Sequence, residues 1–146
     1  IFIDYAVTPD AIENVLTTLR GIAPKRLVML FGAGGDRDRK KRPIMGKLSA
    51  DIADFVIVTS DNPRTEDPMS IIEEILPGVR AGKAPYKVIC DRPEAIRWAI
   101  DHHEPGDVIL LCGKGHEDYQ IIGHEKIHMD EREIVADYLA ERAKRT

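Results

Sequence analysis

Three observations on this 146-residue chain predict an α/β fold. Short apolar runs alternate with segments whose apolar residues recur every three to four positions, the mark of strands interleaved with helices. The runs are continuous rather than alternating, as strands covered on both faces require. Most of the helical segments open on a capping residue or a proline. The expected architecture is Rossmann-like, a largely parallel six-stranded sheet with helices on both faces.

Ile1 to Ile3 reads as a first short strand. Thr8 caps the first helix, Pro9 takes its first position, and Asp10 and Glu13 favour its positive end. Ile12, Val15, Leu16 and Leu19 form its buried face, and Gly21 stops it. Arg26 to Phe31 is the second strand. A glycine-rich and charged loop runs from Gly32 to Arg42, and Pro43 opens a helix with Met45, Leu48, Ser49 and Ile52 on one stripe.

Phe55 to Thr59 is the third strand. Asp67-Pro68 starts a helix carrying Ile71, Ile72, Ile75 and Leu76, and Pro77-Gly78 is expected to end it. Tyr86 to Cys90 is the fourth strand. Asp91 and Glu94 suit a capping box for the next helix, which buries Ile96, Ala99 and Ile100. Pro105-Gly106 turns into the fifth strand, Val108 to Cys112. Tyr119 to Ile122, Gly123, and Lys126 to His128 read as a small hairpin. Asp130 and Glu133 begin a last helix with Ile134, Val135, Tyr138 and Leu139 inward, and residues 143–146 are expected to fray.

Bulk composition sets limits on function. Hydrophobic residues make up 43% and charged residues 32%, which suits an ordinary globule of about one domain. A net charge of −4 and only 5% aromatics disfavour a nucleic-acid surface. No run approaches about 18 apolar residues, and no signal peptide is visible, so no membrane insertion is expected. Cys90 and Cys112 end apolar runs and read as small buried thiols. With no CxxC pair, a disulfide or zinc site is disfavoured, and reduced thiols point to the cytoplasm. The abrupt start at Ile1-Phe2-Ile3-Asp4 suggests a piece of a longer protein.

Ligands of open α/β sheets bind beyond the carboxyl ends of the strands. Three unusual loops fall there: Gly32 to Arg37, Asp61-Asn62-Pro63-Arg64, and Gly113 to Glu117. Pro63 stiffens its turn and biases Asn62 away from helix, so the turn projects an amide and a guanidinium together. Arg37 and Arg64 suit carboxylates, because the guanidinium is a planar fork of donors, and Glu117 suits an ammonium group. Two cations, an anion, an amide and bare glycine backbone suit a zwitterionic amino acid. Each residue alone has a plainer reading. Arg37 sits beside Arg39, Lys40, Lys41 and Arg42, a run that ordinarily makes a solvated face, and His116 ordinarily serves a turn.

Several tempting motifs fail. Gly32-Ala33-Gly34 lacks the third glycine of a dinucleotide fingerprint, since Arg37 stands there. Gly113-Lys114-Gly115 is no phosphate-binding loop, having no glycine five residues before Lys114 and no Ser or Thr after it. His124 and His128 fall in a hairpin without a metalloprotease pattern and read as exposed. His102 and His103 complement a helix end.

Four ordered stretches carry a resemblance over essentially the whole chain: Asp4-Tyr5-Ala6-Val7-Thr8-Pro9-Asp10, Phe31 to Asp38, Asp61 to Arg64, and Gly113 to Gln120. Together they resemble the C-terminal domain of the Mur ligases, in the diaminopimelate-adding branch. The resemblance implies a single domain, residues 1–146, of a larger three-domain ligase. Such ligases use ATP and Mg2+, bound mainly by the central domain. They join an amino acid to a nucleotide-linked muramoyl peptide, here UDP-N-acetylmuramoyl-L-alanyl-D-glutamate, through an acyl phosphate in cytoplasmic peptidoglycan synthesis. It further implies that Arg37, Asn62, Arg64, Gly113 and Glu117 bind meso-diaminopimelate, that Asp61 and Pro63 shape the turn, and that Asp4 touches the nucleotide.

Arg64 with Asn62 resembles the diaminopimelate-adding pattern, and a buried guanidinium left without its carboxylate would penalise lysine. Sites of this kind discriminate by about 10⁴-fold or more. Val7 departs from the family, which commonly has histidine there, so a nucleotide contact from that position is in question. The chain carries no phosphate-binding loop, and by itself it is expected not to catalyse ligation. The alternative reading is a non-catalytic amino-acid-binding or interaction module of the same fold. A related ligase adding glutamate or a dipeptide is disfavoured by Asp61 to Arg64.

Overall fold

A computed structural model of the chain describes residues 1–22 and 24–145; of the tail expected to fray, residues 143–145 are helical instead, and Thr146 lies outside the described residues. The strands are β1 (Phe2–Asp4), β2 (Arg26–Phe31), β3 (Phe55–Val58), β4 (Tyr86–Val88), β5 (Asp107–Cys112), β6 (Tyr119–Ile122) and β7 (Glu125–His128). The helices are α1 (Pro9–Arg20), α2 (Lys41–Ile52), α3 (Pro68–Ala81), α4 (Arg92–Asp101) and α5 (Glu131–Arg145). Three expected caps form. Thr8 Oγ1 accepts from Ala11 N, Asp67 Oδ2 from Ser70 N, and Asp91 Oδ2 from Glu94 N. Each is worth about 1 kcal/mol.

Five parallel strands, in the order β1-β5-β2-β3-β4, make the main sheet, one fewer than the sequence suggests. β6 and β7 form a separate antiparallel hairpin. The reason is topological. β5 lies between β1 and β2, so both its edges are taken and the hairpin that follows cannot pair beside it. The hairpin instead lies against the turn after β3, where Arg64 bridges Ile122.

Strand alternation divides the core in two. Leu27, Met29, Phe31, Val56 and Val58 face α1, α2 and α3, while Val28, Leu30, Ile57, Ile109 and Leu111 face α4. Ile134, Val135 and Tyr138 of α5 close that second face, but Leu139 is exposed, contrary to expectation. α5 packs chiefly on α4, and that narrow contact covers one stripe of it.

α3 does not end at Pro77-Gly78 but runs on to Ala81. A proline inside a helix costs about 3 kcal/mol. Burial of Leu76 and Val79 contributes roughly 1.5–3 kcal/mol each and offsets it. Gly78 also lets α3 meet α2, since a Cβ there would lie 1.8 Å from the Pro43 carbonyl oxygen.

Register positions the site. Phe31 pairs with both Cys112 and Val58, and Asp4 pairs with Cys112. The chain therefore leaves β1, β2, β3 and β5 at one level, at Tyr5, Gly32, Thr59 and Gly113.

Candidate amino-acid-binding cleft

The three loops meet. A cleft of about 360 Å3 at this rim is lined by Arg37, Asp61, Asn62, Arg64, Gly113 and Glu117, together with Tyr5, Val7 and the Gly32–Gly34 backbone. It opens beyond the ends of β2 and β5, neighbours in the sheet though distant in the chain, at the carboxyl edge where open sheets bind ligands.

The Gly32 and Asp61 loops are stitched by backbone. Gly35 N donates to Asn62 O at 2.7 Å, and the approach is so close that a Cβ on Gly35 would stand 1.8 Å from the Pro63 oxygen. Pro63 itself is buried behind the lining, which makes it a support for the turn rather than a contact surface. Arg64 takes a left-handed backbone conformation, φ 53°, held from both sides. Its N donates to Ile121 O and its O accepts from Gly123 N, at 3.1 and 2.7 Å. Its guanidinium lies over Gly34 and, among the described residues, spends only Nη1, on Gly35 O at 2.9 Å, which leaves the rest of the fork for a ligand.

Arg37 is exposed at the rim, donating one bond to the Asp36 carbonyl. Arg42, in the same charge run, is not solvated. It is 1% exposed and grips Glu66 with both terminal nitrogens, at 3.0 and 2.7 Å, and Gly34 O at 3.0 Å. These bonds from Arg42, with a further one from Asp36 N, hold the Glu66 carboxyl down at about 2.

In the same lining, Glu117 accepts from Tyr119 OH at 3.0 Å and from Tyr5 OH at 3.4 Å. Beside it, Asp61 is buried, and its Oδ1 has no hydrogen-bond partner among the described residues. Burial pushes the Asp61 carboxyl upward against the pull of Arg92 and Lys114. Gly113 lies against Asp61 Oδ2, with φ 115°, a conformation that favours glycine. Asn62 uses its Oδ1 structurally, accepting from Lys114 Nζ and Ile121 N at 2.9 Å each.

Asp4 lies outside this lining, on an adjoining depression shared with Tyr5, Val7 and Thr8. Its carboxylate accepts from Ala6 N at 2.9 Å and its carbonyl from Gly113 N, so it braces the rim. Val7 is exposed at the mouth and offers no polar group. His116 stacks on Tyr5 with centroids 6.3 Å apart, a turn role. Cys90 and Cys112 are free thiols, and burial pushes Cys112 up to about 12.

Sequence reading missed four side chains behind the wall: Lys114, Gln120, Arg92 and Glu131. Gln120 Nε2 ties Ser60 Oγ at 2.8 Å and the Asp61 carbonyl. Lys114 was legible only in part, as a lysine between two glycines. The others had no local signal.

Fold and cleft together define an α/β domain that offers opposite charges to a small ligand beyond the carboxyl edge of a parallel sheet. Residues 1–115 match the profile of the family described as "Mur ligase, glutamate ligase domain", and the chain belongs to that family.

The chain is 54% identical over 99% of its length to UDP-N-acetylmuramoyl-L-alanyl-D-glutamate--2,6-diaminopimelate ligase of Caldanaerobacter subterraneus subsp. tengcongensis. It is 56% identical, again over 99%, to the protein of the same name from Trichormus variabilis. It spans 30% and 29% of those relatives' lengths. A solved structure of a ligase of the same name superposes with a TM-score of 0.90 at 42% identity, covering 97% of this chain and 29% of that one.

Proposed function

We propose that this chain is the amino-acid-delivering C-terminal domain of a larger three-domain ligase that adds meso-diaminopimelate to UDP-N-acetylmuramoyl-L-alanyl-D-glutamate in the cytoplasm. The observation that carries the reading is the charge layout of the cleft. Two cations, Arg37 and Arg64, and two carboxylates, Asp61 and Glu117, line the same cleft. A diamino diacid presents carboxylates and ammonium groups at separate ends, and this layout complements both. Relatives above half identity bear that activity in their names.

In this reading Arg64 takes a ligand carboxylate, Arg37 closes on it from the rim, Asn62 donates through its amide nitrogen, and Glu117 receives an ammonium group. Charge-assisted bonds of this kind contribute roughly 1.5–3 kcal/mol each. Lysine lacks the second carboxylate and would leave Arg64 unpaired. Such a difference suits discrimination rather than rate, because the domain's share of the reaction is to fix the attacking amine in place.

ATP and Mg2+ are bound mainly by the rest of the ligase in this reading, with Asp4 on the nucleotide side of the cleft. Among the described residues no group of three or more His, Cys, Asp or Glu could hold a metal ion, and Asp4 is engaged by backbone. The isolated chain, lacking a phosphate-binding loop, is expected to be inactive. No described helix is long and apolar enough to cross a membrane.

The test is Arg64→Ala in the full-length protein, assayed with meso-diaminopimelate and with lysine. Diaminopimelate use should fall by about 10²-fold or more with ATP binding retained. Unchanged selectivity removes Arg64 from the site. Turnover by the 146-residue chain alone would overturn the division of labour.

A further inference from the structure

The groups that face the cleft are held in register by a side chain that does not line it. Lys114 has no exposed surface. Its Nζ lies 2.9 Å from Asn62 Oδ1, 3.1 Å from Glu117 Oε1 and 3.6 Å from Asp61 Oδ1, and all three partners line the cleft. The Tyr119 ring centroid is 4.8 Å away on another side. Flanking glycines at φ 115° and φ 54°, Gly113 and Gly115, kink the chain on either side of Lys114.

We infer that Lys114 is the positioning residue of this cleft. Its buried ammonium fixes which end of the Asn62 amide faces the ligand and holds the Glu117 carboxylate where an incoming amine meets it. The inference rests on the reading of the cleft given above and concerns how its groups are kept oriented.

Two physical arguments support it. A side-chain amide has one accepting and one donating end. Lys114 Nζ and Ile121 N both donate to Asn62 Oδ1, so the NH2 group is the end left for a ligand. Second, Asp61 and Glu117 are like charges on one wall, and Lys114 is the cation within ion-pair distance of both. Asp61 Oδ1 is buried without a hydrogen bond among the described residues, so this ammonium, together with Arg92, compensates it. Without it, Glu117 is driven toward solvent and the Asn62 amide keeps only its bond from Ile121 N.

The experiment uses the full-length protein with Lys114→Met, Lys114→Gln, Glu117→Gln and the double variant K114M/E117Q. Initial rates are measured against meso-diaminopimelate with the other substrates saturating, and thermal unfolding is followed alongside. Lys114→Met should raise KM for diaminopimelate about tenfold or more while leaving KM for ATP unchanged. The double variant should be little worse than its worse single parent, because both substitutions remove the same interaction. Lys114→Gln keeps a donor for Asn62 without a charge for Glu117 and should fall between wild type and Lys114→Met.

An unchanged KM for diaminopimelate in Lys114→Met, or additive effects in the double variant, overturns the inference. If Lys114→Met does not fold, Lys114→Gln is paired with Glu117→Gln and read the same way. Failure of both to fold assigns Lys114 to the fold alone and overturns the inference as well. Failure of the wild-type enzyme to use diaminopimelate sinks the reading of the cleft instead, so the two failures are distinct.

Discussion

Arg92 Nε lies 2.9 Å from Glu131 Oε2, and neither side chain has any exposed surface. The remaining guanidinium nitrogens donate to Ser60 O at 3.0 Å and Cys112 O at 2.9 Å. One side chain thus ties the ends of β3 and β5, where two walls of the cleft begin, to the start of α5.

Removing one member of that pair should be severe. Glu131→Ala leaves a buried guanidinium without its counter-charge, and the expected loss is about 3–5 kcal/mol in a denaturant titration. The double variant R92M/E131L should recover much of it, because an apolar pair carries no desolvation cost. Similar losses in both variants would show that the tie to Ser60 O and Cys112 O matters more than the charge balance.

The Arg42–Glu66 pair predicts a pH signature. Glu66 is held at about 2, below its ordinary 4.5, first by Arg42 and then by Asp36 N. A depressed carboxyl stabilises the fold fully above the unfolded value and loses that contribution as pH falls through the folded one. The stability difference between wild type and Glu66→Gln should therefore be constant above pH 4.5 and shrink between 4.5 and about 2. A difference independent of pH across that range would contradict the assignment.

Gly35→Ala should part the two loops. The added methyl would meet the Pro63 carbonyl at 1.8 Å, and rigid backbone on both sides must move. Overpacking of this kind costs typically 1–3 kcal/mol. Unfolding should report that loss, and diaminopimelate KM in the full-length protein should rise. An unperturbed variant would mean that the Gly35–Asn62 backbone contact is dispensable.

The two thiols should differ in reactivity. Burial raises both, but Cys112, fully buried and held at about 12, has almost no thiolate at pH 8. A thiol reagent should modify Cys90 first and Cys112 only on unfolding. Equal rates in the folded protein would place Cys112 nearer solvent than its contact with Ala6 O implies.

The order of elements and three of the helix caps were legible from the sequence because both depend on neighbours in the chain. Continuous apolar runs announce strands covered on two faces, and Thr8, Asp67 and Asp91 act within three residues of themselves. The placement of the three glycine- and proline-marked loops at one rim followed from the parallel sheet they interrupt. Tertiary structure decided the rest. β5 inserted between β1 and β2, and the hairpin that follows it pairs outside the sheet and lies against Arg64. Arg42 and Lys114 look like ordinary surface cations in the sequence, and only the packed fold buries them beside Glu66 and Glu117. The physical reason is range: a cap needs a partner three residues away, whereas Lys114 finds Asn62 across 52 residues of chain, through a close approach that only a completed sheet provides.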